Sequence, residues 1–139
     1  MAIQISTFIG NHPGALASFC RTLKEHGINM RAMNVSDATE FGIVRVITDN
    51  SAKARAVLEE QGLICQEEDV LAFEVEDRPG ALVGLLETLG EAGVNLNYTY
   101  ALFSGHEGTA GFVIKTENRE EAVKALAAAG IRQLADDEL

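Results

Sequence analysis

A chain of 139 residues, 47% of them hydrophobic, is long enough for one ordinary domain or two very small ones and has the composition of a globular protein. Its 11 basic against 21 acidic residues leave a net charge of −10, a field that repels phosphate backbones and anionic lipid, so neither nucleic acid nor a membrane is expected as a partner. No run approaches the roughly 18 apolar residues of a membrane span, and Met1-Ala2-Ile3-Gln4-Ile5 lacks the parts of a signal peptide, so the cytoplasm is the expected location.

The alternating residues Ile3, Ile5, Thr7 and Ile9 predict a strand that stops at Asn11-His12-Pro13-Gly14, where proline is placed to open a helix in its first turn. Leu16, Phe19, Cys20 and Leu23, three and four apart, give that helix one apolar face. Gly27 suits its C-terminal cap. A strand starting at Ile28, a turn from Ser36 to Gly42 and a strand from Ile43 to Thr48 follow. Asn50 caps a second helix, Gly62 ends it, and Leu63-Ile64-Cys65 supplies a last strand.

The same series then returns. Asn11-His12-Pro13-Gly14-Ala15-Leu16 recurs as Asp77-Arg78-Pro79-Gly80-Ala81-Leu82, and His26-Gly27-Ile28-Asn29-Met30 as Ala92-Gly93-Val94-Asn95-Leu96, both 66 positions on (77 minus 11, 92 minus 26). Leu82, Leu85, Leu86 and Leu89 repeat the helical spacing, Gly93 the cap and Val94 the strand start. After a turn at Ser104 to Gly108 comes a strand from Gly111 to Thr116; aligning Thr48 with Thr116 raises the offset to 68 (116 minus 48). Asn118 with Glu121 forms a capping-box pattern, Gly130 ends the last helix, and Ile131 to Leu134 forms the last strand. Gln66 to Asp69 is the only seam, which sets domains at 1–68 and 69–139.

The implied fold is α+β: two tandem ferredoxin-like βαββαβ units, each an antiparallel sheet with both helices on one face. Open sheet edges in so small a unit favour a homodimer. Cys20 follows an apolar position of the repeat, and with Cys65 it reads as a small core residue. His12, His26 and His106 fall in a turn, a helix end and a hairpin, which the layout does not bring together, so no metal is expected. With no phosphate loop, nucleophile elbow or paired acid and base, neither catalysis nor a cofactor is expected. Arg31, Arg45 and Arg78 read as solvated or ion-paired, and Tyr98 and Tyr100, alternating on one strand face, as packing at an interface rather than lining a pocket.

The string Gly27-Ile28-Asn29-Met30-Arg31-Ala32-Met33 through Phe41-Gly42-Ile43-Val44-Arg45-Val46, with Asp77-Arg78-Pro79-Gly80-Ala81-Leu82 and Gly93-Val94-Asn95-Leu96, resembles the ACT domain family, twice over nearly the whole chain. More closely it is similar to small stand-alone tandem ACT proteins of the acetolactate synthase regulatory-like kind. The resemblance implies a non-catalytic regulatory module that binds amino acids where the strand-to-helix loop of one domain meets the second strand of a neighbour. An alternative is a ligand-independent regulatory or dimerisation subunit docking on an amino-acid biosynthetic enzyme.

The expected ligand-binding residues are therefore Asn11, His12, Pro13, Gly14, Ala15 and Leu16 with Asn95 and Leu96, and Asp77, Arg78, Pro79, Gly80, Ala81 and Leu82 with Asn29 and Met30. Pairing within the chain or across a dimer stays open. A helix N-terminus draws a carboxylate, glycine lets the backbone come close, and an Asn amide bonds either end of a zwitterion. The copies differ where specificity is set: Asn11-His12 stands against Asp77-Arg78, and Met30-Arg31-Ala32 against Leu96-Asn97-Tyr98, so two equal sites are not expected.

Overall fold

The computed structural model describes residues 1–37, 40–103 and 105–139. Ala38 and Thr39, in the expected turn from Ser36 to Gly42, and Ser104, which opens the second hairpin turn, lie outside the described residues. Contacts divide the chain into a first unit, Ile3–Glu68, and a second, Asp69–Leu139 together with Met1–Ala2.

In the first unit, β1 (Ala2–Gly10), α1 (Ala15–Glu25), β2 (Met30–Asp37), β3 (Phe41–Thr48) and α2 (Ser51–Glu60) lead into β4 (Cys65–Glu76). β3 lies between β2 and β1, antiparallel to both, with Ile5 opposite Val46 and Thr7 opposite Val44. The start of β4 flanks β1, where the Thr7 hydroxyl donates to the Ile64 carbonyl at 2.8 Å. Alternate residues Ile5 and Ile9 of β1 and Val44 and Val46 of β3 meet Phe19 and Leu23 of α1 and Leu58 of α2 in one core. Cys65 belongs to that core and Cys20 packs on its edge; burial pushes both free thiols up.

The second unit repeats this with α3 (Ala81–Glu91), β5 (Tyr98–Ala101), β6 (Thr109–Lys115), α4 (Arg119–Ala128) and β7 (Arg132–Gln133). Here β4 pairs with β6 and β7, and β6 with β5, all antiparallel. Leu71, Phe73 and Ile114 of the sheet close on Leu85 and Leu89 of α3 and Leu126 of α4. Each unit is thus the expected α+β sandwich of one sheet and two helices. Tyr98 and Tyr100 stack with ring centroids 6.3 Å apart.

Several boundaries depart from the sequence expectation, each for a local reason. The strands expected at Ile28 and Val94 start later, at Met30 and Tyr98. The Ile28 and Val94 N–H groups are turned back onto the Leu23 and Leu89 carbonyls at 3.0 and 2.9 Å, which commits both residues to ending the helices. Leu63 and Ile131 do the same to Leu58 and Leu126, so the last strands also start late. The Asn50 side chain accepts from the Lys53 N–H at 3.1 Å, but the capping box expected at Asn118 is not formed, because the Asn118 N–H donates to the Thr116 hydroxyl and its side chain caps nothing.

Candidate functional site

Both Pro-Gly segments form the same turn. The Ala15 N–H donates to the His12 carbonyl at 3.2 Å, and the Ala81 N–H to that of Arg78 at 3.3 Å. Gly14 and Gly80 hold φ of 87° and 85° with ψ near zero, so each loop is a type II turn with proline at its second position and glycine at its third. A side chain at the third position is strained in that left-handed conformation. The prolines thus stand in turns ahead of the helices, not in the first helical turn as expected, and the helices start at Ala15 and Ala81.

No side chain caps either helix start, so the first N–H groups carry their partial positive charge toward solvent. The Asn11 N–H anchors its loop to the Glu40 carbonyl at 3.0 Å, and the Asp77 N–H to that of Gly108 at 2.9 Å. Asn11 to Gly14 and Asp77 to Gly80 are exposed, while Ala15, Leu16, Ala81 and Leu82 are half-buried.

The two asparagines after the helices are also exposed, and their amides make no hydrogen bond among the described residues. Their backbones are pinned by different groups. The Asn29 N–H donates to Asp49 Oδ1 and the Asp49 N–H returns to the Asn29 carbonyl, both at 3.0 Å. In the second unit the Thr116 hydroxyl donates to the Asn95 carbonyl at 2.7 Å, whereas its counterpart Thr48 has a buried hydroxyl with no partner among the described residues. Met30 and Leu96 pack against their own cores. Within a unit the turn and the asparagine stand at opposite ends of an 11-residue helix, about 16 Å at 1.5 Å per residue, so one unit alone does not bring them together.

Behind each turn lies a cleft that sequence reasoning missed. In the first unit it has a volume of about 250 Å³ between the end of β1, α1 and the loop after α2, with Thr22, Phe19 and Leu63 on its walls. In the second it reaches about 590 Å³, with Thr88, Leu85 and Ile131 at the matching places. The sequence signal was the glycine at position 84, inside an otherwise regular helical pattern.

Beside the larger cleft is a buried carboxylate. Glu74, 7% exposed, receives His106 Nδ1 at 3.0 Å and Arg132 Nη1 at 2.7 Å, and Arg132 also pairs with Glu138 of the C-terminal turn. The Thr109 hydroxyl, and after it His106 and Arg132, hold the carboxyl below the usual glutamate range while desolvation works the other way. The matching positions of the first unit are Phe8, Phe41 and Ile64, which are 60%, 54% and 85% exposed. Among the described residues no three His, Cys, Asp or Glu side chains gather as a metal site, and no helix is long and apolar enough to cross a membrane.

The arrangement of two βαββαβ units with matching turns has a known counterpart: the family model described as an ACT domain pair matches residues 1–139. The chain belongs to the ACT domain pair family. Protein BT0572 from Bacteroides thetaiotaomicron is 28% identical, superposing at a TM-score of 0.90 over 99% of this chain and 94% of that one. The ligand-free regulatory subunit of aspartate kinase from Thermus thermophilus is 18% identical at a TM-score of 0.70, over 91% of both chains. The corresponding subunit from Thermus flavus is also 18% identical, at 0.64 over 94% of both. At that identity the two regulatory subunits share the fold of this ACT pair. No curated protein matches the sequence.

Proposed function

We propose that this ACT pair is a non-catalytic regulatory module whose ligand is an amino acid or a similar small zwitterion. The observation that carries the reading is the doubled type II Pro-Gly turn on an uncapped helix start, a place where backbone N–H groups and a helix dipole accept a carboxylate. In this reading the contacts come from Asn11 to Leu16 and Asp77 to Leu82, with Asn29, Met30, Asn95 and Leu96 from the starts of second strands. The exposed amides of Asn29 and Asn95 suit either end of a zwitterion.

Regulation requires that the ligand prefer one arrangement of domains or subunits over another. A thermal-shift scan of the full chain against the twenty amino acids at millimolar concentration tests the reading: at least one is expected to raise Tm, and a flat response to all twenty overturns it.

A second reading, docking as a subunit without a ligand, is favoured by the apolar residues Phe8, Phe41 and Ile64 of the first unit. Phe8 is paired with Ile43 across the β1 and β3 ladder, and Phe41 lies two residues from Ile43 on the same sheet face. The same face supports a homodimer, because an apolar patch that meets its own copy needs no complementary charge. Capture of an amino-acid biosynthetic enzyme by immobilised chain, with a flat amino-acid scan, is the outcome that selects docking. The chain is expected to act in the cytoplasm.

A further inference from the structure

The two Pro-Gly turns are tied to their units in one way that is shared and one that differs. Shared is a backbone bond from the first residue of each segment to a carbonyl across the sheet, Asn11 to Glu40 and Asp77 to Gly108. Each bond extends the end of a ladder, Gly10 opposite Phe41 in the first unit and Glu76 opposite Thr109 in the second. A ladder opens more readily at its end than in its middle, so whatever steadies that end decides how firmly the turn is held.

In the second unit the far side of the bond is a tight turn, His106 to Thr109. The Thr109 N–H and hydroxyl both donate to the His106 carbonyl, at 3.0 and 2.6 Å, and Gly108 takes a left-handed φ of 79°. The His106 side chain and the Gly108 carbonyl are therefore carried by one closed turn. His106 Nδ1 lies 3.0 Å from both oxygens of Glu74. A carboxylate only accepts, so Nδ1 is the donating nitrogen. Glu74 is itself a fixed point, buried and braced by Arg132 Nη1 at 2.7 Å. Asp77 follows Glu74 by three residues, so the contacts close a ring: Glu74 to Asp77 along the chain, Asp77 to Gly108, and His106 back to Glu74. The hairpin cannot swing away from Asp77 without also breaking its hold on the buried carboxylate. At the position of Glu74 the first unit has Phe8, whose side chain has no acceptor to offer.

We infer that His106 is a positioning residue for the turn from Asp77 to Leu82: through Glu74 it pins the hairpin whose Gly108 carbonyl holds Asp77, so the second turn is preset and the first is not. A preset turn loses less freedom when a ligand arrives, which favours the second of two otherwise matching turns. The consequence for a ligand rests on the amino-acid reading above; the link from His106 to Asp77 stands apart from it.

Amide hydrogen exchange of the full chain, read by NMR as protection factors, tests that link with no ligand present. Asp77 is expected to be better protected than Asn11. His106→Ala is expected to lower the protection of Asp77 about fivefold, the loss of one hydrogen bond at an exposed side chain, while Asn11 and the core amide of Leu89 in α3 keep theirs. Glu74 retains Arg132 in that variant, so the fold is expected to survive. His106→Asn, whose amide nitrogen stands as many bonds from Cβ as Nδ1 does, is expected to restore most of the protection. Equal protection of Asp77 and Asn11 in the wild type, or unchanged Asp77 protection in His106→Ala, overturns the inference. So does a loss that falls equally on Leu89, which is a general loss of stability. None of these results bears on the amino-acid reading, which the scan of twenty amino acids decides separately.

Discussion

Glu74 shows how a single side chain sets a condition on stability. Its carboxyl is held low by the Thr109 hydroxyl, His106 and Arg132, so the stabilisation is fully present above the ordinary glutamate range, near pH 4.3. It is lost as pH falls through the lowered folded value, because the unfolded chain takes up its proton first. Glu74→Gln is expected to lower stability at neutral pH by about 2 kcal/mol. Urea unfolding from pH 7 to pH 3 checks it: the variant loses less stability on acidification than wild type. The residues that hold Glu74 lie at 106, 109 and 132, and nothing in their sequence spacing announces that they meet. At Gly14 and Gly80, by contrast, the end of the strand was legible from the Pro-Gly pair, although the prolines stand in a turn ahead of the helix and not in its first turn. Gly80→Ala, forced to hold φ of 85°, is expected to cost about 1 kcal/mol by the same unfolding measurement.

At the scale of elements, periodicity located α1 and α3, because a buried face every three and four residues is written in the chain itself, while α2 and α4 were placed by Asn50 and Gly62 and by Asn118 and Gly130. Their ends were legible where glycine closes them, and the bonds from Ile28, Leu63, Val94 and Ile131 back into the preceding helices explain why the strands begin late. The Asn pair separates pattern from geometry. Asn50 and Asn118 look alike in sequence, but only Asn50 receives a backbone N–H. Asn50→Ala is therefore expected to lower stability by about 1 kcal/mol and Asn118→Ala by no more than a few tenths, measured as the shift in urea midpoint at constant slope. The capping box failed because the Thr116 hydroxyl already orients the Asn118 backbone, a choice made by the loop.

For the molecule as a whole, the duplication was readable from the two shared segments, and with it the ACT pair. What each copy does differently was only half readable. The contrast of Phe8, Phe41 and Ile64 with Glu74, Thr109 and Arg132 needed the sheet register to gather positions far apart in sequence. If the apolar set is where copies associate, Ile64→Lys places an unpaired charge there, and sedimentation is expected to show a dimer for wild type and a monomer for the variant. At 85% exposure Ile64 contributes little to its own unit, so the fold is expected to survive. The central claim is that this pair of domains holds an amino acid, and a crystal grown with a mixture of the twenty tests it most directly. The account predicts density for an amino acid with its carboxylate at a Pro-Gly turn, at Asn11 to Leu16 or Asp77 to Leu82. Turns empty of amino acid in such a crystal would contradict it.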